Sequence, residues 1–394
     1  MPTVVDHLDT AKILQERRDF DYSKRIIELD PARSADAAPL TVLLKKLNKT
    51  TVDTAEFRWF EGYRNPRWVK FSGSDEDSPG ATLALGTDEG KLVRENELLK
   101  VPRTGEVMLV RTINGDNITV VRGYGTTAPT PLKQNEPLLI LATAYQENSV
   151  PGRMKITQPV KVYNYVQIIK TPITISGTAA AEKQVAEPRE RLRLQRKASV
   201  EHLLDIEYAI WFGEPKEDLS AGPDGPQRST GGVLYFARDN ILDVKSENGG
   251  ALTYELFEQW LEEAMKYGSK TKWLFASSRL LTVFDILAEK KLQVERGEDT
   301  YGVAIRRWVS NHGNINIVHH PLFEGEEYGH MGVLIDLDVE DLGLVHLPGR
   351  DTRLRLNVGE RARDGYLDVY ETDVGLRFPL SKCHGVITGV ETAA

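Results

Sequence analysis

Hydrophobic and polar positions change their period several times along this chain. Residues 1–50 have almost none. Ile26-Ile27-Glu28-Leu29-Asp30-Pro31 runs into a stretch of Pro, Asp and small residues that ends at Pro39. Such a segment buries too little apolar surface to fold alone. Only Leu40-Thr41-Val42-Leu43-Leu44-Lys45-Lys46-Leu47 has helical spacing, about two turns of it. Ile26, Ile27, Leu29 and Leu40 to Leu47 call for burial. The reading is an extended arm that lies on another surface, set against a disordered leader.

From 51 to 182 the pattern turns strand-like. Phe57-Arg58-Trp59-Phe60-Glu61 and Arg67-Trp68-Val69-Lys70-Phe71 alternate with aromatic and β-branched content, and Ser72 to Gly80 is an acidic, turn-rich loop. Glu106 to Arg111 and Ile118 to Arg122 flank Asn114-Gly115, whose positive-φ capacity predicts a hairpin. With Pro137 to Ala142 they form a small β-module. A long pair of strands follows, Met154 to Tyr165 and Val166 to Ser176. Residues 187–213 then read as a helix. Pro188 sits in its first turn, Leu192, Val200, Leu203, Ile206 and Ile210 recur at helical spacing, and Gly213 ends it. After a Gly/Pro/Ser-rich stretch (220–232), Leu252, Leu256, Phe257, Trp260, Leu261, Ala264 and Met265 mark an amphipathic helix. Trp273 to Ala276 is a buried strand, and Leu280 to Leu287 another helix. Seven strands follow: Val303–Ser310, Ile315–His319, Met331–Leu337, Leu342–Leu347, Leu354–Val358, Tyr366–Glu371 and Val386–Val390. Helices and strands are segregated, which is an α+β pattern.

Composition narrows the function. At 394 residues, 40% hydrophobic and 27% charged, the chain is an ordinary folded protein with room for two or three domains. Its net charge of −8 and lack of a Lys/Arg block argue against coating nucleic acid directly. A single cysteine, Cys383, cannot staple a fold. The opening residues predict no signal peptide, and no apolar run approaches a membrane span.

Candidate chemistry is weak throughout. Gly123-Tyr124-Gly125 precedes Thr126-Thr127-Ala128-Pro129 rather than a helix, so it is a turn and not a phosphate loop. His312, His319, His320, His330, His346 and His384 cluster late, with no i, i+4 pair and no cysteine pair to make a metal site. Asp336-Leu337-Asp338-Val339-Glu340-Asp341 has Asp341 where a calcium loop needs glycine, which leaves an acidic turn between strands. Cys383 beside His384 lacks an orienting third group, and a buried thiol is the common case. Arg189, Arg191 and Arg193 begin the long helix, where the dipole disfavours cations. They call for carboxylates within the subunit or across subunits, against the alternative of a solvated basic face.

The order of parts resembles the major capsid proteins of tailed bacteriophages, which have the Hong Kong 97-like fold. The resemblance rests on Arg122-Gly123-Tyr124-Gly125-Thr126-Thr127, on Leu138 to Ala144 with Glu147, and on Tyr163-Asn164-Tyr165 through Ala179. Glu201-His202 with Glu207, Phe212-Gly213, Asp364-Gly365 to Gly375-Leu376, and His384-Gly385 through Val390 complete it. It covers roughly residues 40–390. These motifs concern packing, and their order along the chain carries the likeness.

The resemblance implies an α+β capsid fold. Its parts would be an N-terminal arm (1–50) and an extended β-hairpin loop (51–182) with an inserted β-module at about 75–145. A peripheral domain (183–240) would carry the spine helix 187–213. A mainly axial domain (241–350) would follow, and then C-terminal strands (351–394) returning to the peripheral domain. It implies a structural subunit and not an enzyme, without cofactor or metal. Hexamers and pentamers would close an icosahedral shell around double-stranded DNA, without sequence-specific binding and without a membrane. No long helical scaffolding segment is evident, so a separate scaffolding protein is implied. The portal is a further partner, and a decoration protein an optional one. Assembly in the host cytoplasm and residence in the virion follow. Trp59, Trp68, Tyr163 and Tyr165 are candidate inter-subunit anchors because aromatics carry much interface energy; packing within their own subunit weighs equally. The alternatives are an encapsulin-like nanocompartment shell, which the arm and the inserted module disfavour, and an α+β enzyme, which would need a convergent polar pocket.

Overall fold

A computed structural model describes residues 38–47, 49–74, 80–150, 152–182, 190–220, 222–289, 294–296, 305–359 and 364–393. Residues 1–37 of the expected arm lie outside these, as does Arg189. The chain forms two compact units, one of residues 60–161 and one of everything before and after.

The larger unit is built on two sheets. The first has strand order β1-β20-β22-β10, with β21 beside β22. Here β1 is Lys49–Thr51, β10 Gln167–Ser176, β20 Gly343–His346, β21 Arg353–Arg355 and β22 Gly365–Arg377. β10 pairs antiparallel with β22 over its full length, from Gln167 opposite Val374 to Ser176 opposite Gly365. Two helices pack on this sheet: α1 (Pro39–Leu47), and the long helix α2 (Glu190–Phe212), which buries His202, Ile206, Glu207, Ile210 and Trp211. Of the α2 stripe expected from the sequence, Ile206 and Ile210 are buried, Val200 and Leu203 are half-buried, and Leu192 is exposed.

The second sheet has seven strands in the order β13-β23-β19-β15-β18-β17-β16. They are Ile241–Asp243 (β13), Gly385–Thr388 (β23), Gly332–Ile335 (β19), Thr271–Ala276 (β15), Asn314–His319 (β18), Ile305–Val309 (β17) and Val294–Arg296 (β16). Helices α3 (Tyr254–Ala264) and α4 (Ser278–Glu289) cover it, with Phe257, Trp260, Leu261, Leu280, Val283 and Phe284 in one core. Thr253 caps α3 by accepting from Leu256 N. Three two-stranded pairs complete the set: β2 (Glu56–Glu61) with β9 (Val160–Tyr165), β11 (Lys216–Asp218) with β12 (Gln227–Ser229), and β14 (Ala251–Leu252) with β24 (Thr392–Ala393).

The smaller unit is a closed barrel. Its strands are β3 (Trp68–Lys70), β4 (Thr82–Ala84), β5 (Glu97–Lys100), β6 (Val107–Asn114), β7 (Asn117–Val121) and β8 (Pro137–Thr143), in the order β3-β8-β5-β6-β7-β4. A Phe71–Leu85 bridge, with hydrogen bonds Ser72 N–Ala84 O and Gly86 N–Lys70 O, joins the two ends. Closure removes both sheet edges. Val69, Phe71, Leu83, Leu99, Met108, Val110, Ile118 and Ile140 fill the interior. The Asn-Gly hairpin sits where expected, with Gly115 at φ 62° and Asn114 opposite Asn117.

Four expectations are corrected. The strands of the small β-module begin at Trp68 rather than about 75, because β3 is needed to close the barrel. Met154–Tyr165 and Val166–Ser176 are not partners: β9 pairs with β2, and β10 with β22. No turn residue lies between Tyr165 and Gln167, so the chain cannot reverse there. The closing strands divide, since β21 and β22 lie in the first sheet while β23 joins the second and β24 pairs with β14. Finally, Gly213 ends α2 without a left-handed φ. Gly232 N donates to Gly213 O at 2.8 Å, and it is this close approach of two backbones that requires small residues.

Candidate inter-subunit surfaces

Two polar clusters fix the frame from which any surface is presented. Glu207 on α2 is fully buried. It accepts from Leu40 N at 3.0 Å, Thr41 N at 2.7 Å, Trp211 Nε1 at 3.1 Å and His320 Nε2 at 2.8 Å. Two of these donors are first-turn amides of α1, the orphan groups of a helix start. His320 Nδ1 in turn accepts from Leu322 N at 3.3 Å, so both ring nitrogens are engaged. Burial pushes the Glu207 carboxyl up, but the hydrogen bonds from His320 and Thr41 prevail and hold it below the ordinary range. One side chain thereby ties α1, α2 and the end of β18 together. In the sequence its signal was a lone carboxylate in line with the apolar stripe.

Asn164 is the second buried tie. Its Nδ2 donates to Leu376 O (2.7 Å) and Gly231 O (3.0 Å), and its Oδ1 accepts from Gly231 N (2.7 Å). The side facing away from α2 carries an arginine roof. Arg350, Arg353, Arg355 and Lys170 all reach Glu371, and Arg350 also bonds Asp373. Burial raises the Glu371 carboxyl, and the Arg353 and Arg355 hydrogen bonds outweigh it, leaving the group below its usual value.

The residues singled out from sequence fall into different environments. Trp59 is 7% exposed, stacked on Phe57 at 6.1 Å and tilted against Phe236 at 5.7 Å, so its surface is spent inside its own subunit. Trp68 (52% exposed) and Tyr163 (46%) stand out from the surface; Tyr165 is half-buried, edge-on to Tyr163 at 5.8 Å. Arg191 forms a bidentate pair with Asp368 (2.8 and 2.6 Å), reaches Asn357, and lies 4.4 Å over the Tyr366 ring. Arg193 pairs with Glu190. The carboxylates that these two arginines call for are therefore in the same chain. Arg189 lies outside the described residues.

The chemical candidates stay structural. Cys383 is buried, and the His384 ring is occupied on both sides: Nδ1 accepts from Asp336 N at 3.2 Å and Nε2 donates to Pro379 O at 3.2 Å. Burial pulls its pKa down to about 4. Asp336 is a buried turn carboxylate that accepts from Ser269 and from Asp338 N. Among the described residues no group of three or more His, Cys, Asp or Glu could hold a metal, and no helix is long and apolar enough to cross a membrane.

A profile of the SU10 major capsid protein family matches residues 8–391. The chain belongs to the SU10 major capsid protein family. It is 26% identical over 337 residues to the major capsid protein of Pseudomonas phage PaMx41, covering 82% of this chain and 78% of that one. Among solved structures it is similar to the capsid of a native GTA particle, with a TM-score of 0.51 at 10% identity over 99% of this chain and 100% of the other. It is also similar to the holo-SrpI encapsulin complex from Synechococcus elongatus, with a TM-score of 0.48 at 9% identity over 98% and 97%. The protein is a phage major capsid protein, part of the virion, with the α+β Hong Kong 97-like fold, and it forms an icosahedral shell. Family and curated relative are both viral, which favours the phage head over the nanocompartment.

Proposed function

We propose that this capsid protein assembles as hexamers and pentamers around packaged double-stranded DNA, and that its extended loop covers a neighbouring subunit. The observation that carries the reading is the return segment of the smaller unit. Residues 144–150 and 152–159 form no helix or strand, yet Val150 is 84% exposed, Met154 78% and Ile156 60%. Each such side chain gains about 1.5–3 kcal/mol on full burial. A neighbour that covers all three recovers that energy, and the contact repeats around symmetry axes to close a shell. In this reading residues 1–50 are the arm, α2 is the spine helix of a peripheral domain, and the seven-stranded sheet is the axial domain. Trp68, Tyr163 and Tyr165 border the loop contact. Arg191 and Arg193 act within the subunit. The shell is its only activity: it is not an enzyme, carries no cofactor, and binds DNA without sequence preference. A separate scaffolding protein and a portal complete the head, built in the host cytoplasm.

Expression with and without the scaffolding protein of the same phage, imaged by negative-stain electron microscopy, tests this. Closed icosahedral shells, built of hexamers with pentamers at the vertices, are expected. A protein that stays monomeric in both preparations under varied salt and pH would contradict the reading.

A further inference from the structure

β10 is an edge strand. Its ten residues pair with β22 on one side, and among the described residues no strand pairs on the other. An open edge of that length is a template for another chain and is ordinarily blunted or covered. Pro172 interrupts its second half, since proline cannot donate to a ladder. Gln167 to Lys170 keep a main chain with no strand partner on that side, where the Gln167 side chain accepts from Thr230 N at 3.1 Å.

Both sides of that open stretch are hollowed. Between the edge and the β11–β12 hairpin runs a groove of about 800 Å³, lined by Ile168, Lys170, Lys216 and Arg228, with Asp218 and Asp224 also present. Asp218 is turned back onto Ser220 N and Oγ. Lys170 is only loosely held, its Nζ 3.8 Å from Glu371. On the α2 side a second hollow of about 560 Å³ is lined by Ile169, Tyr208, Ala209 and Phe212, with the Tyr208 ring half exposed. An occupant paired with this edge must present anionic groups on one face and aromatic groups on the other, with a period of two. One stretch of the chain outside the described residues has that pattern. Asp19-Phe20-Asp21-Tyr22 alternates acid and ring for four residues, matching the four open positions.

We propose that Asp19–Tyr22 of a second copy adds as a strand to the Gln167–Lys170 edge. Asp19 and Asp21 meet the Lys170 and Lys216 ammonium groups, and Phe20 and Tyr22 enter the Tyr208–Phe212 hollow. Main-chain hydrogen bonds supply affinity and the alternating side chains supply register, as in other strand additions. The inference rests on the reading of residues 1–50 as an arm lying on a neighbour.

The first test uses unmodified protein. Amides of residues 19–22 and 167–170 are expected to exchange at least tenfold more slowly in shells than in unassembled subunits; equal rates in closed shells overturn the docking and leave the capsid reading intact. The second uses shells assembled from two differently tagged copies with Cys383→Ser, one carrying Asp21→Cys and the other Lys170→Cys. Oxidation is expected to join the two tags, because paired strand residues lie within disulfide reach. Lys245→Cys, exposed elsewhere, should give no such product. A disulfide found only within a single copy carrying both cysteines overturns the assignment to a second copy. Lys170→Glu with Lys216→Glu should abolish the slow exchange, and Asp19→Lys with Asp21→Lys should restore it; failure of the restored pair argues against charge complementarity as the cause.

Discussion

At the scale of residues, two buried groups make opposite commitments to charge. Glu207 is kept ionised in the interior by four donors, and removing an acceptor from buried donors is strongly destabilising. Glu207→Gln keeps the volume but brings an amide NH₂ to donors that need an acceptor. It is expected to cost about 3 kcal/mol in urea unfolding of the unassembled subunit and to open α1 to protease. An unchanged midpoint with α1 still protected would show that the cap is dispensable. Because the folded carboxyl lies below its unfolded value, its contribution is complete above the unfolded value and drains as pH falls through the folded one. His384 works the other way. Its folded pKa is about 4 against an ordinary 6.5, so as pH falls the unfolded chain takes the proton first. Stability is therefore lost between pH 6.5 and 4, by about 3 kcal/mol in all. The melting temperature of the unassembled subunit should fall across that window, and His384→Gln should flatten the slope there. Parallel profiles for the two proteins would refute it.

At the scale of elements, a few close approaches matter more than propensity. The C-terminus of α2 is held where Gly213 and Gly232 let two backbone segments touch. A Cβ at Gly232 would lie 2.6 Å from Ile210 O and 2.7 Å from Trp211 O, and neither carbonyl can leave the helix. Gly232→Ala is thus expected to destabilise by about 2 kcal/mol or more through overpacking. Gly105→Ala offers a comparison, since it has open space but a φ of 79° and strains only its own turn. If the two variants melt alike, the close approach is not the reason for Gly232. The α2 stripe, the amphipathic α3 and the Asn114-Gly115 hairpin were all legible in the sequence, because each is set by period or turn chemistry within a dozen residues. The barrel itself was not, since it needs β3 to pair with β8, Trp68 opposite Leu139, across strands far apart in the chain.

For the whole molecule, energy is left unspent on the surface. Val150, Met154 and Ile156 contribute little to the stability of one subunit and should contribute much to that of a shell. Met154→Asp with Ile156→Asp is expected to leave the subunit melting temperature within about 1 °C and to reduce the yield of closed particles at least tenfold in sedimentation. A full yield of shells would place the subunit contact elsewhere on the loop. A drop in subunit melting instead would mean that these side chains pack in cis.

The sequence by itself determined the α+β class, the order of parts, the elements with strong local period and, through its likeness to tailed-phage capsid proteins, the function. Tertiary structure decided everything that rests on partners far apart in the chain. It gave β9 and β10 to different strands, β22 and β23 to different sheets, and the carboxylate of Asp368 to Arg191. It turned Trp59 inward and left Trp68 and Tyr163 outside. Local pattern records which side of a strand is apolar, but not which surface will cover it. That choice is made by packing, among contacts separated by more than a hundred residues.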